Sequence, residues 1–530
     1  MNTPPYSVVV PTVGRPQLLR CLRALATSTT TGPAPQRVIV VDDRTAAAPP
    51  LSTASVPELS DLTELVELRS GGRGPAAARN TGWVVARTPW VVFLDDDVEV
   101  THSWRDDLAA DLAGASPDVG GVQGRIDVPL PRDRRPTDNE RGTAGLAGSR
   151  WITADMAYRR AALERVRGFD ERFRRAYRED ADIALRVEAA GYWLVRGGRR
   201  TVHPVRPARW WASVRAQAGN ADDALMRVLH GEGWRRRAGA PAGRRSRHLA
   251  ISAAGLSALA LAASGRGKLA ACTALGGSVG IAELAAARVR PGPGGLREVA
   301  AMLATSVAIP PAAAYHWTSG LVRHRDQPPW QDVSPWPPPR AVLFDRDGTL
   351  VHDVAYNGDP QRVRPVPGAR DVLDRLRDAG IAVGVVSNQS GVARGLLTED
   401  GVGAVNRRVE ELLGPFGAWA WCPHGPADGC GCRKPAAGLV LEAARRLGVA
   451  AHECFVVGDI GGDMAAARAA GARCVLVPTP QTRRREMRGV RIAASLTEAV
   501  TPVLTARLAE RAARGDALAE TPRQPSGGAA

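Results

Sequence analysis

The first two hundred residues alternate between two hydrophobic periods. Short runs rich in β-branched and aliphatic residues, YSVVVPT (6–12), RVIVVDD (37–43) and PWVVFLDDD (89–97), end in turn or acidic residues. Between them lie amphipathic stretches such as RPQLLRCLRALA (15–26), with leucines at helical spacing. Strand, helix, strand in this order predicts a parallel, doubly wound sheet over residues 1–205. The rhythm stops there and returns at residue 341, continuing to about 505. The pattern therefore predicts two α/β domains of the same architecture, with no internal repeat.

What lies between is of another kind. Residues 206–325 begin Arg-rich and become Ala-, Leu- and Gly-rich, with charge-free windows at 249–265, 269–282 and 299–322. The first two are short for a membrane span, and Pro310–Pro311 interrupts the third. The segment reads either as an Ala-rich helical hairpin packed in a protein core or as a membrane-associated element, spanning or in-plane. Arginines flank the runs on both sides, so the positive-inside rule assigns no orientation. Residues 326–340, DQPPWQDVSPWPPPR, read as an extended, semi-rigid linker. Residues 506–530 are expected to be a disordered tail, from their small polar end RGDALAETPRQPSGGAA.

Charge and cysteine content narrow the picture. The formal net charge is +16, and only Lys268 and Lys434 are lysine among 70 Lys+Arg. In such a chain a lysine draws attention for its compact ammonium. Residues 196–248 hold 13 Arg against Asp222, Asp223 and Glu232. No nucleic-acid motif accompanies that charge, so no nucleic-acid partner is expected; a nucleotide-sugar, anionic lipid or solvation explains it better. Seven cysteines do not make a disulfide scaffold. MNTPPYSVVV lacks a basic region followed by a long apolar run, which predicts no signal peptide and a cytoplasmic location.

The acidic strand end Asp95–Asp96–Asp97 is the first site of chemical interest. Three adjacent carboxylates repel one another unless a cation sits among them, although a solvated acidic turn has the same composition. At the carboxyl end of a parallel strand they lie where α/β sheets bind ligands. Around them stand Pro11–Thr12, Asp42–Asp43, RGPAAARNTG (73–82), GFDERF (168–173), REDADIALR (178–186) and His203. In this order the region resembles the family 2 glycosyltransferases of GT-A fold. The resemblance implies that Asp42 contacts the nucleoside and that Arg79 and Asn80 lie along the donor site. It implies that Asp95 and Asp97 hold Mn²⁺ or Mg²⁺ on a nucleotide-sugar diphosphate. Asp180 would be the general base that deprotonates the acceptor hydroxyl, with inversion at the anomeric carbon. His203 would be a further metal or diphosphate contact. Donor sugar and acceptor are not legible.

AVLFDRDGTLV (341–351) places Asp345 at the end of a buried strand and Asp347 two residues on, with Gly348 at the turn. Two carboxylates so spaced converge on one small anion, one attacking phosphorus while the other protonates the leaving oxygen. The string resembles motif I of the haloacid dehalogenase (HAD) superfamily. VVSNQSG (385–391), Lys434 and VVGDIGGD (456–463) follow in that family's order. The resemblance implies that Asp345, Asp459 and the carbonyl of Asp347 hold Mg²⁺. It implies that Ser387 and Lys434 hold the phosphoryl group, that Asp345 forms an aspartyl-phosphate and that Asp347 activates water.

WCPHGPADGCGCRKP (421–435) gathers Cys422, His424, Cys430 and Cys432 just before Arg433 and Lys434. Three sulfurs and an imidazole suit structural Zn²⁺. A disulfide or free thiols are the alternatives, and nothing else in the chain points to an oxidising compartment. The stretch resembles the zinc-loop HAD-IIIA phosphatases, which include D,D-heptose 1,7-bisphosphate phosphatases and histidinol-phosphate phosphatases. SNQSGVARG (387–395) resembles the heptose group, in which Asn388 and Arg394 would touch substrate. Ile460 departs from it, standing where Lys or Arg is common. The resulting expectation is a bifunctional enzyme, a sugar-phosphate phosphatase joined to a nucleotide-sugar transferase. The second reading is a phosphatase for histidinol phosphate or another small ester, carried by a non-catalytic membrane anchor.

Overall fold

The computed structural model describes residues 3–28, 32–45, 48–51, 53, 56–330 and 338–513. Residues 331–337 of the expected linker and 514–530 of the expected tail lie outside the described residues. The chain forms two compact units, one of residues 1–115 and 119–335, the other of residues 336–530 with 116–118.

The first unit is built on eight strands: β1 (Tyr6–Thr12), β2 (Arg37–Asp42), β3 (Glu64–Arg69), β4 (Trp90–Leu94), β5 (Glu99–Val100), β6 (Val119–Asp127), β7 (Asp155–Arg159) and β8 (Trp193–Val202). They lie in the order β3-β2-β1-β4-β7-β6-β8-β5. β1 to β4 pair in parallel; β1, β2 and β4 carry the apolar runs of strands covered on both faces, while β3, ELVELR, is the edge strand. The second half is mixed: β7 runs antiparallel to β4 and β6, and β5 antiparallel to β8. Helix α1 (Gln17–Thr27) turns Leu18, Cys21, Leu22 and Leu25 onto the sheet. Helix α2 (Pro75–Val85) lies so close to it that a Cβ on Gly82 would meet Val9 Cγ1 at 2.4 Å.

Registry sets the functional edge. Thr12 pairs with Asp42 across β1 and β2, and β4 runs beside β1 into Asp95. Three strand ends thus open on one side, facing helices α3 (Asp138–Ala144) and α4 (Glu179–Ala189). The Arg-rich segment expected to start a separate region at residue 206 packs on this same unit. Helix α5 (Asn220–His230) buries Leu225, Met226 and Leu229 with Trp234 against Phe173, Ala181 and Leu185. Helices α6 (Arg245–Ala263), α7 (Gly267–Val289) and α8 (Leu296–His324) complete the unit, each long and apolar enough to cross a membrane.

The second unit is a five-stranded parallel sheet: β9 (Ala341–Phe344), β10 (Ala382–Asn388), β11 (Ala418–Cys422), β12 (Cys454–Gly458) and β13 (Arg473–Leu476), in the order β11-β10-β9-β12-β13. Central β9 ends at Asp345, β12 at Asp459 and β10 at Ser387–Asn388, so the chemistry-bearing residues share one edge. Asn388 pairs with Cys422, which brings the start of the Cys/His loop to that edge. The last helix runs Leu496–Ala513, so residues 506–513 are helical and not part of a disordered tail.

Candidate active sites

In the first unit, a cleft of about 710 Å³ opens at the strand ends. Asp95, Asp96 and Asp97 form its floor, and Arg79, Glu179, Asp180, His203 and Arg206 stand around them. Each floor carboxylate has a cationic partner. Arg79 bridges Asp95 Oδ1 at 2.9 Å and Glu179 Oε1 at 2.8 Å. Asp96 is buried between Arg15 and the Thr12 hydroxyl, each at 2.6 Å. Asp97 receives Arg206 at 3.0 Å and lies 3.6 Å from His203 Nε2. Neither Arg206 nor Arg15 has a spacing signal; both reach the floor through the tertiary fold.

Glu179 and Asp180 open helix α4 behind Arg178, whose φ of +76° is left-handed and strained for a residue with a Cβ. Asp223 offsets that strain by accepting from Arg178 Nε at 2.7 Å, and the guanidinium stacks on Tyr177 and Trp234. The turn points both acids into the cleft. Burial pushes the Asp180 carboxyl above the ordinary range, with the neighbouring Asp95 adding to the rise. Burial likewise lifts Glu179, to about 8, although Arg79 opposes it. A carboxylate whose pKa is raised in this way is, once deprotonated, a stronger base toward a hydroxyl.

Two residues expected in this cleft are otherwise engaged. Asp42 is held by Arg44 through two contacts of 2.8 Å, and it is Asp43 that reaches the cleft. Asn80 faces away: its Nδ2 donates to Phe169 O at 2.9 Å, and its Oδ1 accepts from Phe169 N and Trp83 Nε1. Asn80 therefore clamps the 168–171 turn. A side chain on a helix has one direction, and spacing alone does not reveal which face the cleft takes.

In the second unit, Lys434 Nζ sits 2.6 Å from Asp345 Oδ1 and 2.5 Å from Asp463 Oδ1, and donates to Val386 O at 2.9 Å. Burial works against the ammonium charge, but the two carboxylates outweigh it and hold its pKa up. Three short contacts in a slot that leaves Lys434 5 % exposed suit a compact ammonium and leave little room for a planar guanidinium. One carboxylate oxygen each from Asp345, Asp459 and Asp463 lie within 4.8 Å of one another. Burial raises Asp345 well above its usual range, Lys434 offsets part of this, and Asp463, Asp347 and Asp459 add to it. Burial and then Asp463 push Asp459 up to about 7. Carboxylates that raise one another in this way fit a bound cation with oxygen ligands. Gly348, at φ +79°, is required here, because a Cβ would fall 2.3 Å from Asp459 Oδ2.

Asp347 is held by the buried Arg346, through contacts of 3.1 and 2.9 Å, and by Gln389 Nε2 at 2.9 Å. Gln389 also donates to Ser387 Oγ at 2.8 Å and so joins Asp347 to Ser387. Asn388 does not point outward: it exchanges hydrogen bonds of 3.1 and 3.0 Å with the backbone of Lys434. Arg433 donates to His424 O at 3.2 Å and so braces the Cys/His loop. Arg394 is exposed and donates to Tyr356 Oη at 2.7 Å.

The loop itself is closed. Cys422 Sγ lies 3.3 Å from Cys432 Sγ and 3.7 Å from Cys430 Sγ, and His424 Nδ1 lies 3.5 Å from Cys422 Sγ and 3.3 Å from Cys432 Sγ. A disulfide needs about 2.05 Å, so these cysteines are not bridged. Two Zn–S bonds of about 2.3 Å at a tetrahedral angle put sulfurs roughly 3.8 Å apart, which the loop approaches.

Comparison with known proteins agrees with this division. The family described as "Glycosyl transferase family 2" matches residues 7–183, and the one described as "HAD-hydrolase-like" matches residues 431–500. The chain is 37% identical over 156 residues to D-glycero-beta-D-manno-heptose-1,7-bisphosphate 7-phosphatase of Pseudomonas putida, a match that covers 28% of this chain and 89% of that protein. It is 31% identical to the D,D-heptose 1,7-bisphosphate phosphatase of B. bronchiseptica, solved with magnesium and phosphate; the match covers 31% of this chain and 98% of that one, with a TM-score of 0.29. A mannosyltransferase from Pyrobaculum calidifontis, solved with GDP-Man and Mn²⁺, matches at 23% identity over 61% of this chain and 88% of that one, with a TM-score of 0.35. The chain is thus a fusion enzyme: its front carries a family 2 glycosyltransferase domain, and its back belongs to the D-glycero-D-manno-heptose-1,7-bisphosphate 7-phosphatase family of HAD-like hydrolases.

Proposed function

We propose that the second unit removes the 7-phosphate of D-glycero-D-manno-heptose 1,7-bisphosphate, and that the first transfers a sugar from a nucleotide donor with inversion. The observation that carries the phosphatase reading is Lys434 between Asp345 and Asp463, with Asp459 within ligand distance of both acids. Asp345 attacks phosphorus, the P–O bond to the sugar breaks, and Asp347 protonates the leaving oxygen. Asp347 then takes a proton from the water that attacks the aspartyl-phosphate, releasing inorganic phosphate and restoring Asp345. Lys434 and Ser387 bind the phosphoryl oxygens. Asp345, Asp459 and the Asp347 carbonyl would hold Mg²⁺, whose charge favours attack on a dianionic group. Asp463 fixes Lys434 and would offer a further oxygen to the same cation. Cys422, His424, Cys430 and Cys432 would hold structural Zn²⁺, so that the loop fixes Lys434 and the rim near Arg394 and Arg433.

In the transferase, Asp95 and Asp97 would hold Mn²⁺ or Mg²⁺, which stabilises a departing diphosphate. Asp180 takes the acceptor proton as the acceptor oxygen attacks the anomeric carbon and the diphosphate leaves. Arg79 and Arg206 line the donor's charged end. The phosphatase product is a heptose 1-phosphate, which a nucleotidyl transfer would convert to a donor for the first unit. Location is proposed to be cytoplasmic, with α6–α8 meeting a membrane.

Comparing kcat/KM for phosphate release from the heptose bisphosphate and from histidinol phosphate tests the reading. It expects the bisphosphate to be preferred by on the order of 10⁴-fold, the scale on which a site built to hydrogen-bond substrate hydroxyls rejects a compound lacking them. A preference for histidinol phosphate would establish the second reading instead.

A further inference from the structure

Helices α6, α7 and α8 have similar lengths and hydropathy, but they are partnered differently. Along α8, Met302, Thr305, Ser306, Ile309, Ala313, Trp317 and Gly320 are buried at helical spacing from one end to the other. Near its start Glu298 accepts from Asp138 N at 3.0 Å. Near its end a Cβ on Gly320 would meet Ala221 Cα at 2.8 Å. α8 is therefore fixed lengthwise on the transferase unit, and it could not cross a bilayer without taking that unit with it.

α6 and α7 are tied at their open end, where Arg245 lies 4.1 Å over the Trp317 ring and Arg288 donates to Thr305 Oγ1 and Ser306 Oγ at 2.8 and 3.1 Å. They form an antiparallel pair: Ala254 lies against Gly277, Ile251 against Gly280, and Arg247 pairs with Glu283. Small residues at the crossing bring the backbones close, as in helices that associate without a hydrophobic drive. Within α6 no residue is buried, and Leu256 and Leu259 are 70% and 71% exposed. On α7, Leu275 and Val279 are 66% and 62% exposed. A helix apolar on every side needs either a protein interior or lipid around it. With 19 and 23 residues the two helices extend about 28 and 34 Å, matching a hydrocarbon core of about 30 Å.

The pairing also resolves the ambiguity of the flanking charges. In the linear sequence arginines lie on both sides of each apolar run. Folded as a hairpin, Arg244, Arg245 and Arg247 come to the same end as Arg288 and Arg290, with Arg297 opening α8 beyond them. The turn end keeps only Arg266 and Lys268. Arg288 further ties the open end to the cleft wall: it donates to Asp138 Oδ2 and Ser213 Oγ at 2.8 Å each, and α3, which carries Asp138, lines the cleft through Asn139 and Thr143.

Resting on the reading that this segment meets a membrane, we propose that α6 and α7 enter the bilayer as a hairpin, with α8 left at the surface against the transferase. The arginine-rich open end lies on the cytoplasmic side and the 264–266 turn on the other. The transferase cleft is thereby held beside the anionic cytoplasmic leaflet, through Arg288 and Asp138.

Impermeant-maleimide labelling of the full chain in inverted membrane vesicles from bacterial cells expressing it tests this. Two variants are used, Ser264→Cys at the turn and Val322→Cys on the exposed face of α8. Labelling at each position is read by peptide mass spectrometry. The proposal expects Ser264→Cys to react only after detergent opens the vesicles, and Val322→Cys to react before and after alike. Reaction of Ser264→Cys in intact vesicles would overturn the hairpin insertion, leaving surface attachment. Protection of Val322→Cys would overturn the placement of α8. Recovery of the wild-type chain wholly in the soluble fraction, alone or as a self-associated species covering the apolar face, would overturn the membrane reading beneath both.

Discussion

Asp345→Asn is expected to abolish phosphate release and to leave sugar transfer at the wild-type rate. The amide keeps the shape of the side chain but removes both the nucleophilic oxygen and the charge that faces Lys434 Nζ at 2.6 Å. In the proposed mechanism Asp459 holds the cation and Asp463 fixes Lys434, so neither takes the attacking role. Loss of an attacking group lowers turnover on the order of 10³-fold or more. Lys434 retains Asp463 and Val386 O as partners, so the fold should survive, which a thermal unfolding curve would verify. A parallel loss of transfer in a folded protein would contradict separate centres.

The converse change, Asp180→Asn, should lower transfer by about 10²–10⁴-fold, the range for removing a general base, with phosphate release unaffected. Its pH dependence adds a sharper expectation. Burial first, then the nearby Asp95 charge, raise the Asp180 carboxyl above the ordinary range. A base acts only when deprotonated, so kcat/KM for transfer should fall as pH drops through that raised value. The fall should come at a higher pH than for an exposed aspartate. Rate profiles of the wild type and Asp180→Asn would check this, since the variant should keep low activity without the acidic limb.

Both centres were legible wherever chemistry is written locally. The end of an apolar run locates a strand's carboxyl edge, so Asp95, Asp345 and Asp459 could be placed on ligand-facing edges before any fold was known. The Cys/His set was legible for the same reason, because its four ligands lie within eleven residues and only two turns must bend. Supporting contacts were not legible. Gln389 fixes Asp347 and Arg206 reaches Asp97 through distances that only the tertiary fold creates, while Arg346 and Arg178 act on near neighbours through a backbone direction that spacing does not reveal. Direction was the other loss. Asn80, Asn388 and Asp42 sit in the expected motifs yet spend their side chains on backbone or on Arg44.

The lone lysine of the loop gained meaning from the same geometry. From the sequence, Lys434 stood out for its rarity. In the fold it is clamped by Asn388 through its backbone, by two carboxylates and a carbonyl through its ammonium, and by the loop that precedes it. Arg433 beside it turns back to His424 O. Two adjacent basic residues thus divide their work, one among the strand-end carboxylates and one bracing the loop.

The second unit is proposed to act on a sugar bisphosphate at its 7-position. The most direct measurement is ³¹P NMR of the full chain with Mg²⁺ and D-glycero-D-manno-heptose 1,7-bisphosphate. The primary 7-phosphate resonance is expected to decline as inorganic phosphate appears, while the anomeric 1-phosphate resonance persists. Loss of the anomeric phosphate instead, or persistence of both, would contradict it.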